Sequence, residues 1–150
     1  MKKISLLVML FVLPLTACNP GDDEGGTLTA ELSGGKEVCE QADRCGGTAT
    51  GTADVEINSD QNELCYELEL NGVQNVTVAH IHAGEEGEAG PVLINLNYEG
   101  NDSGTDNLVC LDGLKESDLE DISEEPGEYY VNVHSEQYPD GALRGQLEES

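Results

Sequence analysis

Apolar and polar residues alternate along most of the chain with a period of two. In Thr27–Leu32, Leu28, Ala30 and Leu32 fall on one side and Thr27, Thr29 and Glu31 on the other. Thr48–Ile57 sets Ala49, Gly51, Ala53, Val55 and Ile57 against Thr48, Thr50, Thr52, Asp54 and Glu56. Leu64–Leu70 sets Leu64, Tyr66, Leu68 and Leu70 against Cys65, Glu67 and Glu69. Successive side chains of a strand leave opposite faces, so each segment reads as a half-buried strand of an antiparallel sheet. The same reading predicts strands over Val76–Ala83, Val92–Tyr98, Leu108–Leu111, Tyr129–His134 and Ala142–Leu147. Asn58–Asn62, Asn71-Gly72 and Pro139-Asp140-Gly141 supply turn chemistry between them. Only Leu114–Ile122 carries a helical stripe (Leu114, Leu119, Ile122), and it stops before Pro126-Gly127. About eight short strands and one short connecting helix predict an all-β, antiparallel sandwich or barrel. One domain over residues 27–148 accommodates them.

The first residues follow a different rule. Lys2 and Lys3 precede an apolar stretch, Ile4–Leu15, which is too short to span a bilayer that needs about 20 residues. It ends in Leu15-Thr16-Ala17-Cys18, which resembles a bacterial lipobox. Residues 1–17 are therefore expected to be a lipoprotein signal peptide, with Cys18 lipidated and residues 18–26 a Gly-, Pro- and Asp-rich tether. The expected location is the bacterial envelope, with the domain exported and held to a membrane by its N-terminal lipid.

Charge narrows the partners. The chain has 31 acidic and six basic residues and a formal charge of −25, nearly all of one sign. Like-charge repulsion weighs against binding of the folded part to nucleic acid or anionic lipid. With 37% hydrophobic residues in alternating runs, the chain is not an acidic disordered tail. The acidic residues fall mostly on outward strand positions and in loops, where they read as a solvated face. With Cys18 given to lipid, Cys39, Cys45, Cys65 and Cys110 remain. An even number of thiols in an exported chain points to two disulfides. Three pairings are open, of which Cys39–Cys45 and Cys65–Cys110 are favoured.

The chain has three histidines, and all sit in strand patterns. His80 and His82, in Ala-His-Ile-His-Ala, leave one face of their strand, while Ala79 and Ile81 turn to the core. On a later strand Tyr129, Val131 and Val133 point inward, and Tyr130, Asn132 and His134 point outward. If the two strands are neighbours, the imidazoles converge on the outer face. Three neutral imidazoles suit copper, as Cu(I) or Cu(II), or zinc. Tyr130 and Asn132 would then support the ligands. The competing reading is structural, with the three imidazoles fastening the loop Gly84–Gly90 over the sheet. Arg144 reads as half of an ion pair with an acidic neighbour. Ser135 follows His134 and points to the other face, so no Ser–His pair forms, and the chain carries no phosphate loop or nucleophile elbow.

These residues carry a resemblance. Leu32–Val38 (LSGGKEV), Gly47–Ala53 (GTATGTA), Ala79–Gly84 (AHIHAG) with Gly90-Pro91-Val92, Tyr130–Ser135 (YVNVHS) and Tyr138–Leu147 (YPDGALRGQL) together resemble the CHRD domain, named from chordin and common in secreted bacterial proteins. The match runs in order over nearly all of the predicted domain. It departs at Val38–Gly47, where Cys39 and Cys45 replace a proline-rich segment. The resemblance implies an immunoglobulin-like antiparallel Greek-key sandwich, and, more distantly, similarity to Cu,Zn superoxide dismutase. In that comparison His80 and His82 match a His-x-His strand and His134 a later copper ligand. A fourth copper histidine and a zinc-binding cluster have no counterpart, which argues against dismutase activity. The expected function is a non-enzymatic, membrane-anchored lipoprotein that binds copper or zinc through His80, His82 and His134. The alternative is a metal-free adhesion or scaffold module whose protein partner the sequence does not name.

Overall fold

The computed structural model describes residues 26–41, 43–98, 104–105 and 108–150. The predicted signal peptide, Cys18 and most of the tether lie outside the described residues. Ten strands form among the described residues: β1 Thr27–Ser33, β2 Thr50–Asn58, β3 Glu63–Asn71, β4 Val76–Ala83, β5 Val92–Asn95, β6 Gly104–Thr105, β7 Val109–Leu111, β8 Tyr129–Ser135, β9 Leu143–Gln146 and β10 Glu148–Glu149. Their inward residues are the ones the alternation assigns. Leu28, Ala30 and Leu32 of β1, Ala53, Val55 and Ile57 of β2, and Leu64, Tyr66, Leu68 and Leu70 of β3 are all buried. Removing this much apolar surface from water is the main source of stability.

The strands pair antiparallel in the order β5-β4-β8-β9-β1-β2-β3-β6, with β7 also on β3 and β10 on β1. The sheet turns where β9 meets β1, a junction held by the single pair Ser33 and Arg144. The half β5-β4-β8-β9 then shares one core with the half β1-β2-β3. Ala79, Ile81, Val131, Val133 and Leu143 join Leu28, Ala30, Val55, Tyr66 and Leu68 in the same apolar cluster. The Tyr66 hydroxyl donates to the Leu96 carbonyl, 2.8 Å away. The fold is thus all-β and sandwich-like. Gly145 is required at the turn of the sheet, because a Cβ there would lie 2.5 Å from the Glu31 carbonyl oxygen.

Several boundaries differ from the expectation. The predicted strand Val92–Tyr98 stops at Asn95: Leu96 still gives its N–H to the Ala79 carbonyl of β4, but Asn97 adopts a positive φ of 50° that takes the chain off the sheet. The helix, α1, runs over Glu116–Glu124 and not Leu114–Ile122. Leu114 gives its N–H to the Asn62 carbonyl instead of entering the helix. Leu119 and Ile122 are buried, and Glu116 and Asp118 in the first turn favour the positive end of the helix. The two-residue strands β6 and β10 carry no alternation long enough to read.

Cys39 is joined to Cys45 and Cys65 to Cys110. Cys65 and Cys110 are direct cross-strand partners of β3 and β7, and the bridge explains why Cys65 is buried although it lies on the outward side. Their separation of 45 residues closes a long loop. By chain entropy its loss costs about 3–4 kcal/mol. Replacing both cysteines by alanine is expected to lower the urea-unfolding free energy by that amount, and an unchanged midpoint would contradict it.

Candidate metal centre

The site is built by β4 and β8, whose antiparallel pairing sets Val78 opposite His134, His80 opposite Asn132, and His82 opposite Tyr130. Residues two apart on a strand share a face, and cross-strand partners stand about 5 Å apart, so this register alone gathers the three imidazoles. The ring centroids are 5.2 Å apart for His80 and His134, 5.6 Å for His80 and His82, and 6.3 Å for His82 and His134. One ring nitrogen from each lies within 4.8 Å of the others.

The face is not the open surface that the alternation suggests. A second, polar layer covers it. Tyr130, Asn132 and Arg144 are 3%, 4% and 3% exposed, and the three histidines are half-buried. The loop Gly84–Gly90 forms much of that layer. The Gly90 N–H donates to the Tyr130 hydroxyl (3.1 Å), and the Gln146 amide donates to the Gly84 and Gly127 carbonyls (2.7 Å each). Gly90 cannot be replaced without moving the loop, since a Cβ would fall 1.5 Å from the Ala83 carbonyl oxygen.

Arg144 corrects the ion-pair expectation. Among the described residues it forms no ion pair. Its guanidinium donates to the carbonyls of Glu88 (2.7 Å) and Glu85 (2.8 Å) and lies 3.5 Å from the centre of the Tyr130 ring. Tyr130 in turn stacks on His82, with centroids 4.8 Å apart. The fork of Arg matches two carbonyls and a ring face at once, which a point charge does not. The basic residue therefore holds the loop and, through Tyr130, the His82 ring.

Hydrogen bonds fix the tautomers of two rings. His82 Nδ1 lies 2.9 Å from the Gly90 carbonyl and His134 Nδ1 lies 3.0 Å from the Pro139 carbonyl. A carbonyl only accepts, so each Nδ1 carries the proton and each Nε2 of the neutral ring presents its lone pair. Those Nε2 atoms, and Nδ1 of His80, are buried without a hydrogen-bond partner among the described residues. Burial, and then the nearby charged forms of His134 and His82, hold the His80 imidazole down to about 4. Burial lowers His82 and His134 too, against the opposing pull of the Gly90 and Pro139 carbonyls. The rings are thus kept neutral, the form in which imidazole binds a metal.

One residue of the site is not marked as a site residue by the sequence, although it lies in the LSGGKEV segment. Glu37, just beyond β1, accepts from the Asn132 amide nitrogen with both carboxylate oxygens, at 3.1 and 3.0 Å. Burial pushes its carboxyl up to about 7, against the Asn132 hydrogen bond and the positive charge of Arg144. A lone acid in Lys-Glu-Val reads as solvated, and only the tertiary fold brings it under cover. A cavity of about 210 Å³ opens beside the site, lined by Glu37, Val38, His82, Asn132 and His134 among others. A second group of candidate ligands, Glu63, Cys65 and Cys110, offers no thiolate, since its sulfurs form the disulfide.

Comparison with protein families matches residues 28–147 to the CHRD domain. The chain belongs to the CHRD family. Searches among curated proteins and among solved structures give no match.

The buried groups set opposite pH slopes. Between about pH 4 and 6.5 the unfolded histidines bind protons that folded His80 does not, so this contribution to stability grows as pH rises. Glu37 acts the other way: between 4.5 and about 7 the folded state holds its proton more tightly, so this contribution shrinks as pH rises. Glu37→Gln removes only the second slope. Urea midpoints measured at pH 5 and 7.5 are expected to rise more in the variant than in the unaltered protein, and equal changes would contradict the assignment. Arg144→Lys is expected to destabilise by about 2 kcal/mol, because an ammonium loses one carbonyl and the ring contact; an unchanged unfolding curve would contradict that role.

Proposed function

We propose that the protein is an exported, lipid-anchored CHRD lipoprotein that captures or stores a copper or zinc ion through His80, His82 and His134 and performs no catalysis. The observation that carries this reading is the set of three buried ring nitrogens, one per histidine, without a partner among the described residues. Zinc–imidazole bonds of 2.0–2.1 Å put tetrahedral donors about 3.4 Å apart. Nitrogens already within 4.8 Å of one another reach that spacing by small side-chain rotations. The acidic chain adds a negative potential that raises the local concentration of cations.

The loop-fastening alternative accounts for part of the same geometry. His82 and His134 do tie Gly90 and Pro139 through Nδ1. That role uses one nitrogen on each of two rings and none of the unpartnered three. A dismutase-like redox reading fits less well, because the chain has three histidines in all and a bridged two-metal site needs more. Acyl chains on Cys18 would supply the anchor, each buried CH₂ contributing about 0.8 kcal/mol.

Calorimetric titration of the protein with Zn(II), Cu(II) and Cu(I) is expected to show a single site tighter than micromolar. His80→Ala and His134→Ala are each expected to weaken it more than tenfold. Absence of binding in the unaltered protein, or either variant at full affinity, would contradict the site. Mass spectrometry is expected to find acyl chains on Cys18; an unmodified or uncleaved N-terminus would contradict the anchor.

A further inference from the structure

We infer that Asn132 supplies the fourth donor of the metal site through Oδ1, and that the ion so completed is divalent, Zn(II) or Cu(II), in preference to Cu(I). This rests on the metal reading above and deepens it.

Asn132 is 4% exposed, stands directly opposite His80 and precedes His134 by two residues on the same face of β8. It lines the same cavity as His82 and His134. Its orientation follows from its partner. Both oxygens of Glu37 accept from the amide nitrogen, at 3.1 and 3.0 Å. Nδ2 therefore faces Glu37 and Oδ1 faces away from it. Oδ1 is buried and has no hydrogen-bond partner among the described residues. Five side-chain atoms share that condition: the three imidazole nitrogens, Asn132 Oδ1, and Gln146 Oε1, whose amide nitrogen is spent on Gly84 and Gly127. A buried carbonyl oxygen without a partner is costly. Four such atoms on one face of two paired strands are satisfied together by one cation.

The donor chemistry selects the ion. Three imidazoles and one amide oxygen give a neutral N₃O set, suited to a four-coordinate divalent ion of borderline softness. Cu(I) is soft, is satisfied by the three nitrogens, and gains nothing from an amide oxygen. No ligand is anionic, so the ion keeps its full charge. The Glu37 carboxylate, one hydrogen bond behind Asn132, offsets that charge and polarises the amide toward the ion.

The test is the affinity of the purified protein for Zn(II) and for Cu(I), each measured by chelator competition at pH 8. Asn132→Ala is expected to weaken Zn(II) tenfold or more while Cu(I) changes less than threefold. Because Asn132 is buried, a second variant guards against misfolding. The pair Glu37→Gln with Asn132→Asp keeps one amide and one carboxylate, restores their hydrogen bond in reverse and places the charge next to the ion. It is expected to bind Zn(II) at least as tightly as the unaltered protein. Zn(II) held at full affinity by Asn132→Ala, an equal loss for both ions, or tenfold weaker Zn(II) in the exchanged pair would overturn the assignment. A protein that binds neither ion before any substitution would instead overturn the metal reading itself, so the two failures are distinguishable.

Discussion

The pairing of β4 with β8 is the constraint on which the site depends. With Val78 opposite His134 and His80 opposite Asn132, the side chains of His80, His82, Tyr130, Asn132 and His134 leave one face and Ala79, Ile81, Val131 and Val133 enter the core. A slip of one residue would drive the imidazoles into the apolar cluster and expose the valines. The hydrophobic effect that builds the sandwich therefore also sets the spacing of the histidines. No separate device aligns them, and the cost of gathering three basic rings is met by the core on the other face of the same strands.

A second layer converts that spacing into a protected site. Arg144 reaches across to the carbonyls of Glu85 and Glu88 and covers the Tyr130 ring, which stacks on His82. The Gly90 and Pro139 carbonyls accept from Nδ1 of His82 and His134 and leave Nε2 of each ring buried and without a hydrogen-bond partner among the described residues. Glu37 orients Asn132 in the same way. Polar groups buried beneath loops are ordinarily satisfied in full. Here the bonds that fasten the loops are made, and four of the five atoms left over are the ones proposed above as metal ligands. The rest of the surface is dominated by acids that repel one another, as Asp54 and Glu67 do as direct cross-strand partners.

Period-two alternation was enough to place the long strands, their inward residues and the shared face of the histidines, because one buried face imposes that pattern directly. The segments that mark the CHRD family are legible as residue motifs, which periodicity alone does not supply. What covers the face was not legible. Arg144 looks like half of a surface ion pair until the loop Gly84–Gly90 is laid beside it, and Glu37 is one acid among 31. Loop carbonyls carry no side-chain signature, so an arginine that binds two of them leaves no trace in sequence. The start of α1 was misplaced for a related reason: Leu114 suits the helical stripe, yet its N–H goes to Asn62 in a distant turn.

X-ray absorption at the zinc edge of the Zn(II)-loaded protein tests the central claim most directly, because it reads the donors themselves. Three imidazole rings in the scattering, within a four-donor shell of light atoms at about 2.0–2.1 Å, is the predicted result. A shell of six oxygens with no imidazole scattering would contradict it, and would place the bound ion on the acidic surface and not between β4 and β8.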